Sequence, residues 1–202
     1  RKESSAASDV YKRQVLKDKE VMKVLAVSVI LYITNMVSTN FFSLYVTQWL
    51  GIESRYLAFF PILNAAVMLI FMIGIQHKLE LVKFRIPMWV GLALYAIAVI
   101  LLILAPVGNM LFVIIYVFIV AVAGALVMPR KDTLIQLSIN AEERARINAL
   151  IMSFTIAFSS PFGYFAGWLS SIDRRLPFAF AFALFLAAFI IVGRIRDPEF
   201  SK

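Results

Sequence analysis

The chain has 202 residues, is 62% hydrophobic and carries a formal net charge of +8. Its mean hydropathy is +0.87. A soluble domain is only about half apolar, so the composition predicts an all-α polytopic membrane protein. The absence of cysteine excludes disulfides, a thiol nucleophile and a cysteine metal site. The single histidine, His77, excludes a multi-histidine metal site within the chain. The positive charge sits in short segments between apolar runs, which is the pattern of membrane loops and not of a nucleic-acid surface.

Residues 1–14 stand apart. Ser4–Gln14 reads SSAASDVYKRQ and resembles, residue for residue, the in-frame translation of a transposon-type sequencing adapter. That likeness implies an artefactual or disordered tail to be set aside from fold reasoning. The natural sequence is then expected to resume near Val15, within a gene whose upstream part is missing.

Six apolar runs follow between residues 15 and 193, each near the roughly 20 residues that span a hydrocarbon core. The first is Val21–Gln48. The second runs about Tyr56–Gln76, with Pro61 near its start and Asn64 inside. The third is about Ile86–Leu104, with Pro87 suited to a first helical turn. Pro106, Gly108 and Asn109 form a tight turn. The fourth, about Met110–Met128, is expected to end at Pro129. The only long polar loop, Arg130–Arg146, comes next. Within it, Asn140 followed by Glu143 is a capping-box-like start for a fifth helix, about Ala141–Ser170. The sixth is about Pro177–Val192. There Phe178, Phe180 and Phe182 alternate with alanine like a strand, but the length and continuous apolarity of the run favour a helix. The polar segment 194–202 is a tail.

Lysine and arginine set the orientation. With Val15–Lys23 placed inside, only Arg55, Arg174 and Arg175 of the cations after residue 14 fall outside. A cell (inner) membrane location with both ends cytoplasmic is expected. Trp49, Trp89 and Trp168 lie near helix ends and read as interfacial anchors.

Polar side chains are unequally shared. Ser28, Tyr32, Asn35, Thr39 and Ser43 fall within an arc of about 80° on the first helix. An uncharged polar stripe on a spanning helix must face away from lipid. Five groups are too many for one partner helix, so the stripe is expected to line a cavity, with Tyr116 of the fourth helix as a weaker contributor. Asn64, Asn148 and Thr155 read either as interhelical hydrogen-bonding groups or as cavity lining. Asn148, Thr155 and Ser159 share an arc of about 40° on the fifth helix. Ser159, Gly163 and Gly167 recur every four residues, the spacing of a smooth packing face. Pro161 lies between them and is a candidate kink. The third and sixth helices carry almost nothing polar and are expected to face lipid. Glu143 and Arg144, with their charged neighbours, read either as a cytoplasmic gate or as a solvated, capped helix start.

A six-helix unit whose third and sixth members are plain resembles one half of a major facilitator superfamily transporter. SINAEERARINALI resembles that family's entry into the fifth helix of a half, and SSPFGYFAGWL the Pro/Gly-rich exit. LPFAFAFALF resembles the last helix of the C-terminal half. The segment GIQHKLELVKFR lacks the family's Asp-Arg-x-Gly-Arg pattern. The resemblance implies that Val15 to the tail is the C-terminal six-helix bundle of a secondary transporter. Its partners would be a small-molecule solute, an N-terminal six-helix half and the lipid bilayer, with no nucleic acid and no cofactor. The first and fourth helices would line the cavity, and the second and fifth would pack against the other half. No apolar run holds a nucleophile–base pair or a metal-ligand cluster, so an enzyme is not expected. The competing readings are a complete six-helix membrane enzyme or assembly subunit and a channel-like homodimer.

Overall fold

A computed structural model describes residues 19–75, 85–137 and 144–195. Six helices account for most of them: α1 Lys19–Leu44, α2 Phe59–Gly74, α3 Arg85–Ile103, α4 Met110–Leu137, α5 Arg144–Ile172 and α6 Leu176–Gly193. No strand occurs among the described residues. A π-helical turn, Tyr45–Trp49, prolongs α1, and a 3-10 turn, Ser54–Tyr56, precedes α2. The fold is therefore all-α. Five helical stretches among the described residues are long and apolar enough to cross a membrane. The remaining helix, α5, has 29 residues and a length of about 43 Å. In lipid only a helix satisfies its own backbone within one segment, which is why such apolar runs end as membrane-embedded helices.

The breaks follow local chemistry. Gly51 and Gly108 take positive φ, 68° and 79°, a conformation that costs a side chain but not glycine. The Gly108 amide donates to the Leu50 carbonyl at 2.7 Å, tying the α3–α4 turn to the end of α1. Asn109 caps α4: its Oδ1 accepts from the Leu111 amide at 3.1 Å. At the end of α5, Arg174 donates to the Ser170 carbonyl at 3.1 Å and to its hydroxyl at 2.8 Å. A cation there complements the negative end of the helix dipole.

One expected boundary is wrong. The fourth helix does not stop at Pro129 but runs on to Leu137. An internal proline costs about 3 kcal/mol through one lost hydrogen bond and a ring clash. Here the helix continues through it, and α4 packs along both α2 and α3. α5 likewise continues through Pro161. Of the loop expected at Arg130–Arg146, residues 130–137 and 144–146 are helical, and residues 138–143, which hold the capping-box pair, lie outside the described residues.

The helices pack in a repeating scheme. α3 lies against α4 and α6; α1 lies against α6, α5 and, less extensively, α4; α2 lies against α4. Exchange of α1, α2, α3 with α4, α5, α6 maps this scheme onto itself: α1–α6 becomes α4–α3, and α1–α5 becomes α4–α2. The α3–α6 and α1–α4 contacts map to themselves. The α5–α6 contact alone has no counterpart of comparable extent.

α6 keeps an exposed apolar side, with Leu186 and Ile190, and packs its other side into the bundle. α6 touches α1, α3 and α5, and its Phe178, Ala181, Phe185, Ala188 and Val192 are buried. Those positions recur at intervals of three and four, the seam of interlocking helices. Phe185 stacks on Tyr95 of α3, with centroids 4.8 Å apart. Phe178 meets Tyr45 of α1 at 5.0 Å. By contrast only 6% of the apolar stretch of α2 is buried, against 50% for α4. α3 and α4 cross closely: a side chain at Gly91 would meet the Ala123 carbonyl and Leu126 Cβ at 3.2 Å.

Two ends can be distinguished. At one, Tyr45 donates to the Leu102 carbonyl at 2.9 Å, and the Arg175 guanidinium lies 4.4 Å over the Trp49 ring. At the other, the last carbonyls of α6 are held by cations from two helices. Lys23 donates to the Arg194 carbonyl at 2.6 Å, and Arg85 donates to the Gly193 carbonyl. Arg85 also covers Trp89, which stacks on Phe189 of α6. Trp168 is exposed at 54%.

Candidate functional site

α1 is flanked by two clefts. The first, of ≈ 510 Å³, lies between α1, α2 and α4. Its back wall is aromatic and aliphatic: Tyr95 and Val99 of α3 and Phe185 of α6. Phe42 of α1 stacks on Tyr116 of α4 at 5.6 Å and meets Phe60 of α2 edge-on at 5.6 Å. Asn35, Thr39, Asn64 and Tyr116 supply hydrogen-bonding groups to this cleft. No charged side chain lines it.

The second cleft, of ≈ 690 Å³, lies between α1, the C-terminal part of α4 and α5. Ser28, Tyr32, Asn148 and Thr155 line it, with Lys131 and Asp132. Leu31, Asn35, Thr39 and Met128 border both clefts. The two are therefore neighbouring parts of one groove that wraps α1, with Met128 of α4 between them.

The stripe on α1 is largely turned to this groove. Ser28, Tyr32, Asn35 and Thr39 line it. Ser43 does not; it is exposed, and its carbonyl accepts the Thr47 hydroxyl at 2.8 Å. The stripe hydroxyls bond within their own helix: Ser28 to the Val24 carbonyl at 2.9 Å, and Thr39 to Asn35 Oδ1 at 3.0 Å. Neither bond goes to a partner helix. Asn35, Thr39 and Tyr32 remain exposed, so their remaining polar capacity is directed at whatever fills the groove. In hydrocarbon an unmatched amide costs several kcal/mol, which makes lipid a poor occupant.

The residues expected at packing positions divide. Asn64 faces the first cleft, across from the α1 stripe, and Asn148 and Thr155 face the second. Ser159 is buried and donates to the Thr155 carbonyl at 2.5 Å. Gly163 lies against Met36 of α1, whose Sδ is 3.7 Å from the position a Cβ would take. Gly167 has nothing within 4 Å of that position. Glu143, the Arg144 side chain and His77 lie outside the described residues.

Several lining residues escaped the sequence pattern. Thr34 and Ser38 extend the stripe on one side and Asn40 on the other, so the polar arc is wider than five residues indicate. Ser38 lies beside the Tyr116 hydroxyl. A wider angular window would have caught all three. Lys131 and Asp132 were missed because the fourth helix was expected to end before them.

The groove offers hydroxyl and amide groups, aromatic faces and one ion pair. Among the described residues no group of three His, Asp or Glu side chains is placed to hold a metal ion. No protein family, curated protein or solved structure matches this chain.

Proposed function

We propose that this chain is the C-terminal six-helix bundle of a secondary transporter of the major facilitator type, moving a small solute across the cell membrane by alternating access. The observation that carries the reading is the polar face of α1, lining two clefts while Ser28 and Thr39 hydrogen-bond within their own helix. A lipid-facing helix has no use for such a face, whereas a transport site near the bilayer midplane does. The packing scheme adds support. Nested three-plus-three repeats, inverted because three crossings reverse direction, are the internal organisation of each six-helix half in this superfamily. The cations fit a cytoplasmic location for the Lys23 end, with Arg55, Arg174 and Arg175 outside. The second six-helix half would cover the open side of the groove between α2 and α5.

Two measurements test this. The uninterrupted gene is expected to encode six further membrane helices upstream of Val15. In proteoliposomes the protein it encodes should take up solute, with Asn35→Ala and Thr39→Ala each weakening apparent affinity severalfold, as loss of one hydrogen bond of about 1 kcal/mol predicts. Transport kinetics unchanged in both variants would remove the α1 face from the site.

A further inference from the structure

Among the described residues lining the groove, charge is confined to one place and sums to zero. Of the described residues lining either cleft, only Lys131 and Asp132 are charged. They pair with each other, Nζ to Oδ1 at 3.1 Å, with side chains 23% and 58% exposed. They sit at the α6 C-terminal end of the bundle, in the second cleft beside Asn148 of α5. The other end of the groove is the uncharged chamber of Phe42, Phe60, Tyr95, Tyr116 and Phe185. From Ser28 to Phe42 the wall of α1 rises about 21 Å. The groove is thus polarised along its length, with an aromatic body at one end and a matched pair of opposite charges at the other.

We propose that this groove takes an amphipathic solute with a zwitterionic head, the head exchanging partners with the Lys131–Asp132 pair and the apolar body lying against the aromatic chamber. The proposal rests on reading the groove as the transport site. The physical argument is one of charge balance. A head with a single charge is attracted to one member of the pair and repelled by the other, and it adds an uncompensated charge to a site partly withdrawn from water. A head carrying both charges a few ångströms apart meets an ammonium and a carboxylate with both signs matched. The exposed Asp132 carboxylate is the first group a positive head meets, while Lys131, more covered, receives the negative one. The hydroxyls and amides of Ser28, Asn148 and Thr155 supply uncharged donors and acceptors around it. The aromatic chamber then selects for apolar bulk, which each ring contributes by area and stacking.

The test is equilibrium binding of three tritiated probes with the same ten-carbon tail to the protein that the uninterrupted gene encodes, in nanodiscs, with empty discs subtracted. The probes are N-decyl-N,N-dimethylglycine, decyltrimethylammonium and decanoate. The zwitterion should bind about fivefold or more tighter than either singly charged probe, the scale of one partly exposed ion pair. Asp132→Asn should erase that advantage and shift preference to decanoate. Lys131→Gln should shift it to the ammonium, and Lys131→Arg should retain the zwitterion preference, which separates charge reading from misfolding. Discs of phosphatidylcholine and of phosphatidylglycerol distinguish the source of the head. Competition by phosphatidylcholine assigns a membrane lipid, and equal binding in both assigns a free solute; either outcome supports the site. Equal affinity for the three probes, no binding of any of them, or selectivity indifferent to both charge-removing variants would overturn it. Because selectivity is read at equilibrium, a protein that discriminates heads but takes up no solute would refute the transport reading alone. Uptake without head selectivity would refute this inference alone.

Discussion

α6 and α2 are both short, apolar helices, and the structure uses them in opposite ways. α6 contains no hydrogen-bonding side chain among LPFAFAFALFLAAFIIVG, yet it contacts α1, α3 and α5. α2 contains Asn64, yet it packs mainly on α4 and leaves Ile62, Leu69, Ile70 and Ile73 exposed. The difference lies in size patterning. Along α6, Ala181 and Ala188 are fully buried between Phe178, Phe185 and Val192, so small residues admit neighbouring helices and large ones fill the gaps. Lipid offers no hydrophobic incentive for helices to associate, so close van der Waals fit decides which helix is central. Polarity decides something else, namely which face must meet a groove.

The contrast can be broken most directly at Phe185. Phe185→Ala removes the stacked partner of Tyr95 and one wall of the first cleft, and should cost about 3 kcal/mol, chiefly as cavity and lost contact. A fall in thermal midpoint by circular dichroism in detergent would register it. Ala188→Leu overfills the same seam and should cost about 1–3 kcal/mol, read as a smaller fall in the same assay. Lys23→Gln strips a cation from the last carbonyls of α6 and should cost about 1 kcal/mol, screened in part by salt. Repeating that melt at high ionic strength should narrow the gap from wild type. Ile70→Ala, on the exposed side of α2, should stay within about 0.5 kcal/mol. If Ile70→Ala proved as damaging as Phe185→Ala, the ranking of the two helices would be reversed.

The sequence carried the spans well because each is a continuous apolar run closed by strong local punctuation. Gly108 and Asn109 end one helix and cap the next where expected, and the Phe–Ala alternation of α6 is helical. What it carried poorly was everything that depends on a neighbour. Pro129 reads locally as a stop, yet the helix runs through it. That error hid Lys131 and Asp132 from the groove. The packing seam of α6 was written in the three–four spacing from Phe178 to Val192, which polar residues do not mark. Asn64 shows the same limit, since a single amide does not reveal whether it meets a helix or a cleft.

The ties around Leu50 have a mechanical consequence. Gly108 holds its carbonyl, Tyr45 is bonded to the carbonyl of Leu102, and Arg175 rests on Trp49. Two turns and the end of α3 are thereby tied to the last turns of one helix. The α1–α3–α6 contacts are therefore pinned at both ends, since Lys23 and Arg85 hold the last carbonyls of α6 at the other.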